Sequence, residues 1–136
     1  MDLIAALENI NWLSVIIAAI SSFLIGGIWY GPIFGKAWMT EFNFTEEDLK
    51  KRSPTKTFGL SLLLAFIAAL ILEMFIGTKA DVIFGTMAGF FAGIGWVSTM
   101  LGILYLFEMK SLKAFSINAG YCTITLTLMG TILGAW

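Results

Sequence analysis

Residues 82–107 read VIFGTMAGFFAGIGWVSTMLGILYLF. No side chain in that run is charged, and at ~1.5 Å of rise per residue it makes about 39 Å of helix. A bilayer's hydrocarbon core is ~30 Å thick and takes about 20 apolar residues to cross. The run is long enough to span with tilt or to extend past the lipid. It decides the class of the protein, because a helix that is apolar all round needs lipid or a large protein core around it. The rest of the chain cannot supply that core: of 136 residues, 59% are hydrophobic and only 12% charged, against roughly 25% charged in soluble domains.

Three further apolar runs flank this one: Trp12 to about Phe34, Phe58 to Ile76, and Ala114 to Trp136. Short connections on either side of residues 82–107 predict that consecutive spans are antiparallel neighbours. The expectation is an all-α integral membrane domain over residues 1–136, an antiparallel bundle of four transmembrane helices at about 12–34, 58–76, 82–107 and 114–136. The segment before the first run holds Asp2 and Glu8 but no Lys or Arg. A secretory signal starts with a positive region, so the first run is expected to remain as a span.

Basic residues set the direction. Lys36, Lys50, Lys51, Arg52 and Lys56 lie between runs 1 and 2, and Lys110 and Lys113 between runs 3 and 4; only Lys79 lies on the other side. This imbalance predicts a cytoplasmic loop over 35–57 and an N-out/C-out orientation. Within that loop, FTEEDLKKRSP predicts a short helix at about 46–52. Thr45 and Asp48 form its capping box, Glu46 and Glu47 favour its start, and Lys50 to Arg52 favour its end. Pro54 is expected to terminate it. The segment reads as a solvated connector or as a docking element for a partner or anionic lipid.

Composition also excludes chemistry. The chain has no histidine and a single cysteine, Cys122. Histidine-based triads, histidine-ligated zinc, axial histidine to haem and CxxC redox motifs are all ruled out within one chain. No acid/base pair stands out, so the protein is expected to be no enzyme and to need no metal or cofactor. No basic stripe exists to bind nucleic acid.

Gly85, Gly89 and Gly93 recur every four residues and line one helical face. Such faces let helices approach closely in lipid. The partner is either another helix of the same chain or a second copy in a homo-oligomer. In run 4, Ala119, Thr123, Thr127 and Thr131 make a similar ladder, whose threonines can bond back to their own helix. The segments GGIWYG in run 1 and GIGWVS in run 3 echo one another, as two related hairpins would.

Glu73 is the one ionisable side chain well inside a run. It follows Ser61, Ala65 and Ala69 at intervals of four, on the face expected to meet other helices. A carboxylate in a span costs on the order of 2 kcal/mol or more at the centre and less near an interface. Asn11, Thr86 and Thr131 lie at similar depth. The four together suggest a site for a small cation or a proton, with interhelical hydrogen bonding as the structural alternative. Asn118, Tyr105 and Tyr30 share a depth near the opposite face and suggest an inner polar layer that joins helices. Trp12 and Trp136, with Trp29 and Trp38, fit the two interfacial aromatic belts. Trp96 falls near mid-membrane, where its N–H predicts a place against another helix or a cavity.

Residues 26–38, GGIWYGPIFGKAW, hold four glycines and a proline. They lack the Thr-Val-Gly-Tyr-Gly pattern and the re-entrant length of a selectivity filter. Pro32 disfavours a regular helix and biases Gly31 away from α geometry. Gly31 and Pro32 are therefore expected to form a hinge where run 1 kinks or stops.

NWLSVIIAAI, GGIWYGPIFGKAWM and FEMKSLKAFSINAGYCTITLTLMGTILGAW together resemble the bacterial membrane family called domain of unknown function 1761. The resemblance covers nearly the whole chain. It is most specific at Asn11-Trp12, at Trp29-Tyr30 through Trp38, and at Ile117-Asn118-Ala119-Gly120-Tyr121. It implies a small four-span protein of the bacterial inner membrane and brings no catalytic motif. The functional expectation is a channel or transporter-like bundle for a small cation or proton, working as a homo-oligomer in the lipid bilayer. The alternative is a structural or accessory protein that packs against a partner.

Overall fold

The computed structural model describes residues 2–136. Helix α1 covers Leu3–Glu8 and α2 Trp12–Ile28, which runs on into a π-helical turn at Trp29–Ile33; α3 covers Gly35–Glu41, α4 Glu46–Lys51 and α5 Pro54–Ile76. Helix α6 covers Val82–Phe91 and passes through a second π turn, Ala92–Val97, into α7, Ser98–Phe107; α8 covers Leu112–Ala135. The described residues are all-helical in their regular structure, and four helices are long and apolar enough to cross a membrane: Trp12–Ile33, Pro54–Ile76, Val82–Phe107 and Leu112–Ala135. The protein is a membrane protein on that basis.

Short polar side chains start these helices by accepting amide hydrogens that have no partner in the first turn. Asn11 Oδ1 accepts from Ser14 N at 3.2 Å, Asp81 Oδ1 from Phe84 N at 2.8 Å, and Ser111 Oγ from Ala114 N at 3.0 Å. Pro54 departs from its expected role. It opens α5, with Ser53 as the cap, because proline's missing N–H costs nothing in a first turn. The second span accordingly begins four residues before Phe58. Helix α5 ends at Gly77, whose φ of 73° suits glycine alone at no strain.

Helix α4 carries its capping box: Asp48 N donates to Thr45 Oγ1 at 3.1 Å, and Thr45 N donates to Asp48 Oδ2 at 2.9 Å. The Thr45 backbone N–H, followed by its side chain, holds the Asp48 carboxyl below the usual carboxylate range. A lowered folded-state pKa means that this stabilisation is complete above the ordinary aspartate value and is lost as pH falls through the lowered one. A carboxyl-carbon NMR titration should place the Asp48 midpoint below that of an unstructured aspartate, and Thr45→Ala should raise it part of the way. A midpoint indifferent to Thr45→Ala would count against the cap.

The closest helix pair is α6 with α8. Gly85 faces Gly130 and Gly134, Gly89 faces Leu126 and Thr127, and Gly93 faces Thr123. A methyl group at Gly89 would overlap the Leu126 carbonyl oxygen, and one at Gly93 would stand 2.6 Å from Thr123 Cα. The glycine face is thus consumed inside the protomer and is not free to form a homo-oligomer seam. The physical reason lies on α8, which presents its own small residues at matching heights.

The same face continues beyond Gly93 to Ser98, a step of five residues. A π turn adds one residue to the helical repeat, and the turn at Ala92–Val97 absorbs the step. Ser98 therefore still meets α8, with its Oγ 3.0 Å from Thr123 Oγ1. Gly102, four residues on, packs on Phe115. Trp96 is turned outward by this geometry and is 69% exposed. It faces neither a helix of this chain nor a cavity, contrary to the sequence expectation. The echoing segments of runs 1 and 3 both coincide with π turns.

Gly31 and Pro32 lie inside the first π turn, where Phe34 N bonds back to Trp29 O at 2.8 Å. The widened turn accommodates the proline ring and its missing donor. The chain changes direction two residues later, at Phe34 (φ −118°, ψ 6°). Gly35 then passes so close to the Tyr30 carbonyl that a Cβ would stand 2.6 Å from its oxygen. Gly31 and Pro32 thus lie in the irregular turn between the end of α2 and the start of α3.

Candidate functional site

Two ends of the bundle can be told apart by their contacts. At the long-loop end, Ser111 Oγ donates to Glu41 Oε2 at 2.5 Å, and the Lys110 ammonium lies 5.2 Å from the Phe42 ring centroid. These contacts bring the 35–53 segment against the turn between α7 and α8. At the other end Glu73, Asn11, Asp81 and Gly134 are found.

Glu73 sits in the last turn of α5 and is 8% exposed. Its Oε2 is buried without a hydrogen-bond partner, although the backbone amide of Asn11 approaches the carboxyl. The Asn11 side chain is already committed to its cap. Thr86 and Thr131 meet each other instead, Oγ1 to Oγ1 at 2.7 Å, across α6 and α8. Each hydroxyl also lies within reach of its own helix, Thr86 Oγ1 of Val82 O and Thr131 Oγ1 of Thr127 O; with two protons for three contacts, one hydroxyl donates across the pair and the other donates back to its own helix. The structure brings Asn11 to Glu73 and Thr86 to Thr131 but does not merge the two pairs. Glu73 is left with one backbone donor, too few oxygen ligands for a dehydrated cation. Among the described residues, no three His, Cys, Asp or Glu side chains converge where a metal ion could sit.

The second polar group is joined. Tyr30 Oη lies 2.6 Å from Asn118 Oδ1, and Asn118 Nδ2 donates to Tyr105 Oη at 2.7 Å. One asparagine on α8 thereby links the π turn after α2 to α7. Aromatic packing extends the layer, with Tyr30 edge-on to both Trp38 and Tyr121 and Phe42 edge-on to Tyr105. Three contacts here have no counterpart in the sequence reading. Trp29 Nε1 donates to Ile117 O at 2.8 Å, its ring lies over Gly120, and Tyr121 Oη donates to Ser22 O at 3.2 Å.

Between α2, α5 and α8 lies a cavity of about 860 Å³. It exists because α5 buries side chains only in its last turns. Ala69, Leu72, Glu73 and Ile76 are buried, whereas from Pro54 to Leu64 every residue but Thr57 is exposed. Near the long-loop end α5 meets α2 through Phe58 on Phe23 but buries no side chain, and Gly26, Gly27 and Gly31 on the facing side add no bulk. Arg52, Thr57, Phe58 and Trp38 stand at the long-loop end; Leu64, Ala68, Leu126 and Met129 line the wall further along. Past Met129 the bundle closes on Val15, Ala18, Ala19 and Ala69, none more than 1% exposed. The cavity is therefore blind, and Glu73 lies beyond its closed end. Its wall includes Thr125, whose buried Oγ1 sits near the Tyr121 hydroxyl outside hydrogen-bonding geometry and has no partner. Sequence reading missed the cavity. The available signal was the pair Gly27 and Gly31, four residues apart on run 1.

A family model described as "Protein of unknown function (DUF1761)" matches residues 13–134 of the chain. No curated protein and no solved structure matches it.

Proposed function

The chain belongs to the DUF1761 family, and from that premise we propose a small carrier-type binding protein of the bacterial inner membrane, rather than an open channel. Its four spans form an antiparallel bundle with both termini outside and the long-loop end in the cytoplasm, as the basic residues of that end favour. The blind cavity carries this reading. A pocket of about 860 Å³, mostly apolar with a few placed polar groups, has the size and chemistry of small-molecule sites, whereas a channel needs a continuous path. The plug of Val15, Ala18 and Met129 stands across that path. Glu73, behind the plug, supplies a protonatable group for coupling to a proton. The protein itself carries out no catalysis.

A membrane-impermeant thiosulfonate should label Cys122, in the cavity wall, from the long-loop side of vesicles only. Planar bilayers containing the protein should show no unitary currents. Labelling from the terminal side, or ion conductance abolished by Glu73→Gln, would overturn the carrier reading and favour a channel.

One observation favours a second reading, an accessory protein. Trp96, Phe91 and Met100 form an exposed surface midway along the third span. A partner helix, from another protein or a second copy in a homo-oligomer, would cover it and take up the indole N–H.

A further inference from the structure

The geometry points to an anionic amphiphile as the cavity's ligand, with a phosphate or carboxylate head at Arg52 and an acyl chain running toward Met129. This rests on the reading of the cavity as a binding site and adds the chemical class of the occupant.

Charge decides the head. Arg52 is the one charged side chain in the wall, and no carboxylate lines it. A cationic ligand would find no counter-charge there, while an anion would meet no repulsion. The guanidinium stands 5.6 Å from the centroid of the Phe58 ring. Stacking of this kind holds the planar fork that binds phosphate or carboxylate through two parallel hydrogen bonds. Thr57, in the first turn of α5, adds a hydroxyl beside it, where the partial positive charge of a helix start also favours an anion.

Length and polarity decide the tail. From Pro54 to Ala68 helix α5 rises about 21 Å, which suits one acyl chain and far exceeds a free anion. The wall over that distance is mostly apolar. The hydroxyls of Ser22, Ser61 and Tyr121 are already bonded to backbone carbonyls, whereas that of Thr125, 6% exposed, is unpartnered. An unmade hydrogen bond in a buried wall is costly, and an ester or hydroxyl oxygen partway along the ligand would satisfy it. The exposed first half of α5 gives such a molecule sideways entry from the bilayer.

The test uses the full chain, purified in neutral maltoside detergent, with an equimolar mixture of oleoyl lysophosphatidate and monoolein. Native mass spectrometry should show lysophosphatidate adducts in excess by about tenfold, or about 1.4 kcal/mol. Arg52→Gln should bring the two lipids to near parity, whereas Lys50→Gln, on α4 and outside the wall, should leave the preference intact. Gly27→Leu should abolish binding of both while helix content and elution volume are kept, because a Cβ at Gly27 meets nothing within 4 Å. Lysophosphatidate should also slow alkylation of Cys122, which lines the same wall. Equal adducts of both lipids, with Cys122 still protected, would overturn the anionic head and leave the cavity reading standing. Glycerol phosphate that protects as well as the lipid would overturn the tail. Adducts that ignore Gly27→Leu and leave Cys122 unprotected would sink this inference and the carrier reading together.

Discussion

Gly89→Ala is expected to destabilise the protein on the order of 3 kcal/mol, and Gly95→Ala not at all. Both substitutions add one methyl group to the third span. At Gly95 that methyl meets nothing within 4 Å, and at Gly89 it overlaps the Leu126 carbonyl of α8. A helical glycine exchanged for alanine gains roughly 0.5–1 kcal/mol in chain entropy, so Gly95→Ala should be neutral or slightly stabilising. At Gly89 the obstruction is backbone and cannot rotate away. The two helices must separate, and overpacking of this kind costs about 1–3 kcal/mol or more. Separation would also pull apart the Thr86–Thr131 hydroxyl pair. Thermal unfolding followed by size-exclusion fluorescence should show a fall on the order of 10 °C for Gly89→Ala. Equal melting temperatures for the two variants would mean that α6 and α8 are not in backbone contact.

Asn118→Leu should cost about 2 kcal/mol and loosen the long-loop end. Asn118 accepts from Tyr30 and donates to Tyr105. Interhelical hydrogen bonds in membranes contribute ~0.6–2 kcal/mol each, and their loss leaves two hydroxyls to find new partners. Tyr30 packs on Trp38, and Tyr105 packs on Phe42. The 35–53 segment is thus anchored indirectly by one amide. Limited proteolysis after Lys50 or Lys51 should speed up in Asn118→Leu, and Tyr30→Phe and Tyr105→Phe should each give about half the stability loss. Full additivity in the double variant would show that the two bonds act independently; a smaller combined loss would show one network.

The relation of sequence to structure differs from residue to residue. Thr45 and Asp48 announce their capping box because both partners sit three residues apart, and local geometry alone closes it. The triad of Tyr30, Asn118 and Tyr105 was legible from depth: three polar side chains at one level of a narrow bundle have few other partners. Glu73 was visible as an expensive residue, yet its separation from Thr86 and Thr131 was not, because depth says nothing about position around the bundle axis. Ser98 and Gly102 escaped notice for a related reason. Their place on the glycine face requires a five-residue step, and a strict four-residue ladder stops at Gly93.

What the sequence by itself determined is the membrane class, the four apolar helices, the capping box of the loop helix and the resemblance to the family. These follow from solvent transfer and local hydrogen bonding, which act residue by residue. What only the tertiary structure decided is which small-residue face meets which. Gly85 and Gly89 spend theirs on Gly130, Gly134 and Leu126 of the same chain, not on a second copy. Gly27 and Gly31 meet nothing and leave a cavity beside Arg52. One residue type lets helices touch in the first place and leaves space in the second. The difference lies in the partner helix: α8 comes close enough to fill the gap, whereas α5 buries side chains only in its last turns and brings nothing within 4 Å of a Cβ at Gly27 or Gly31.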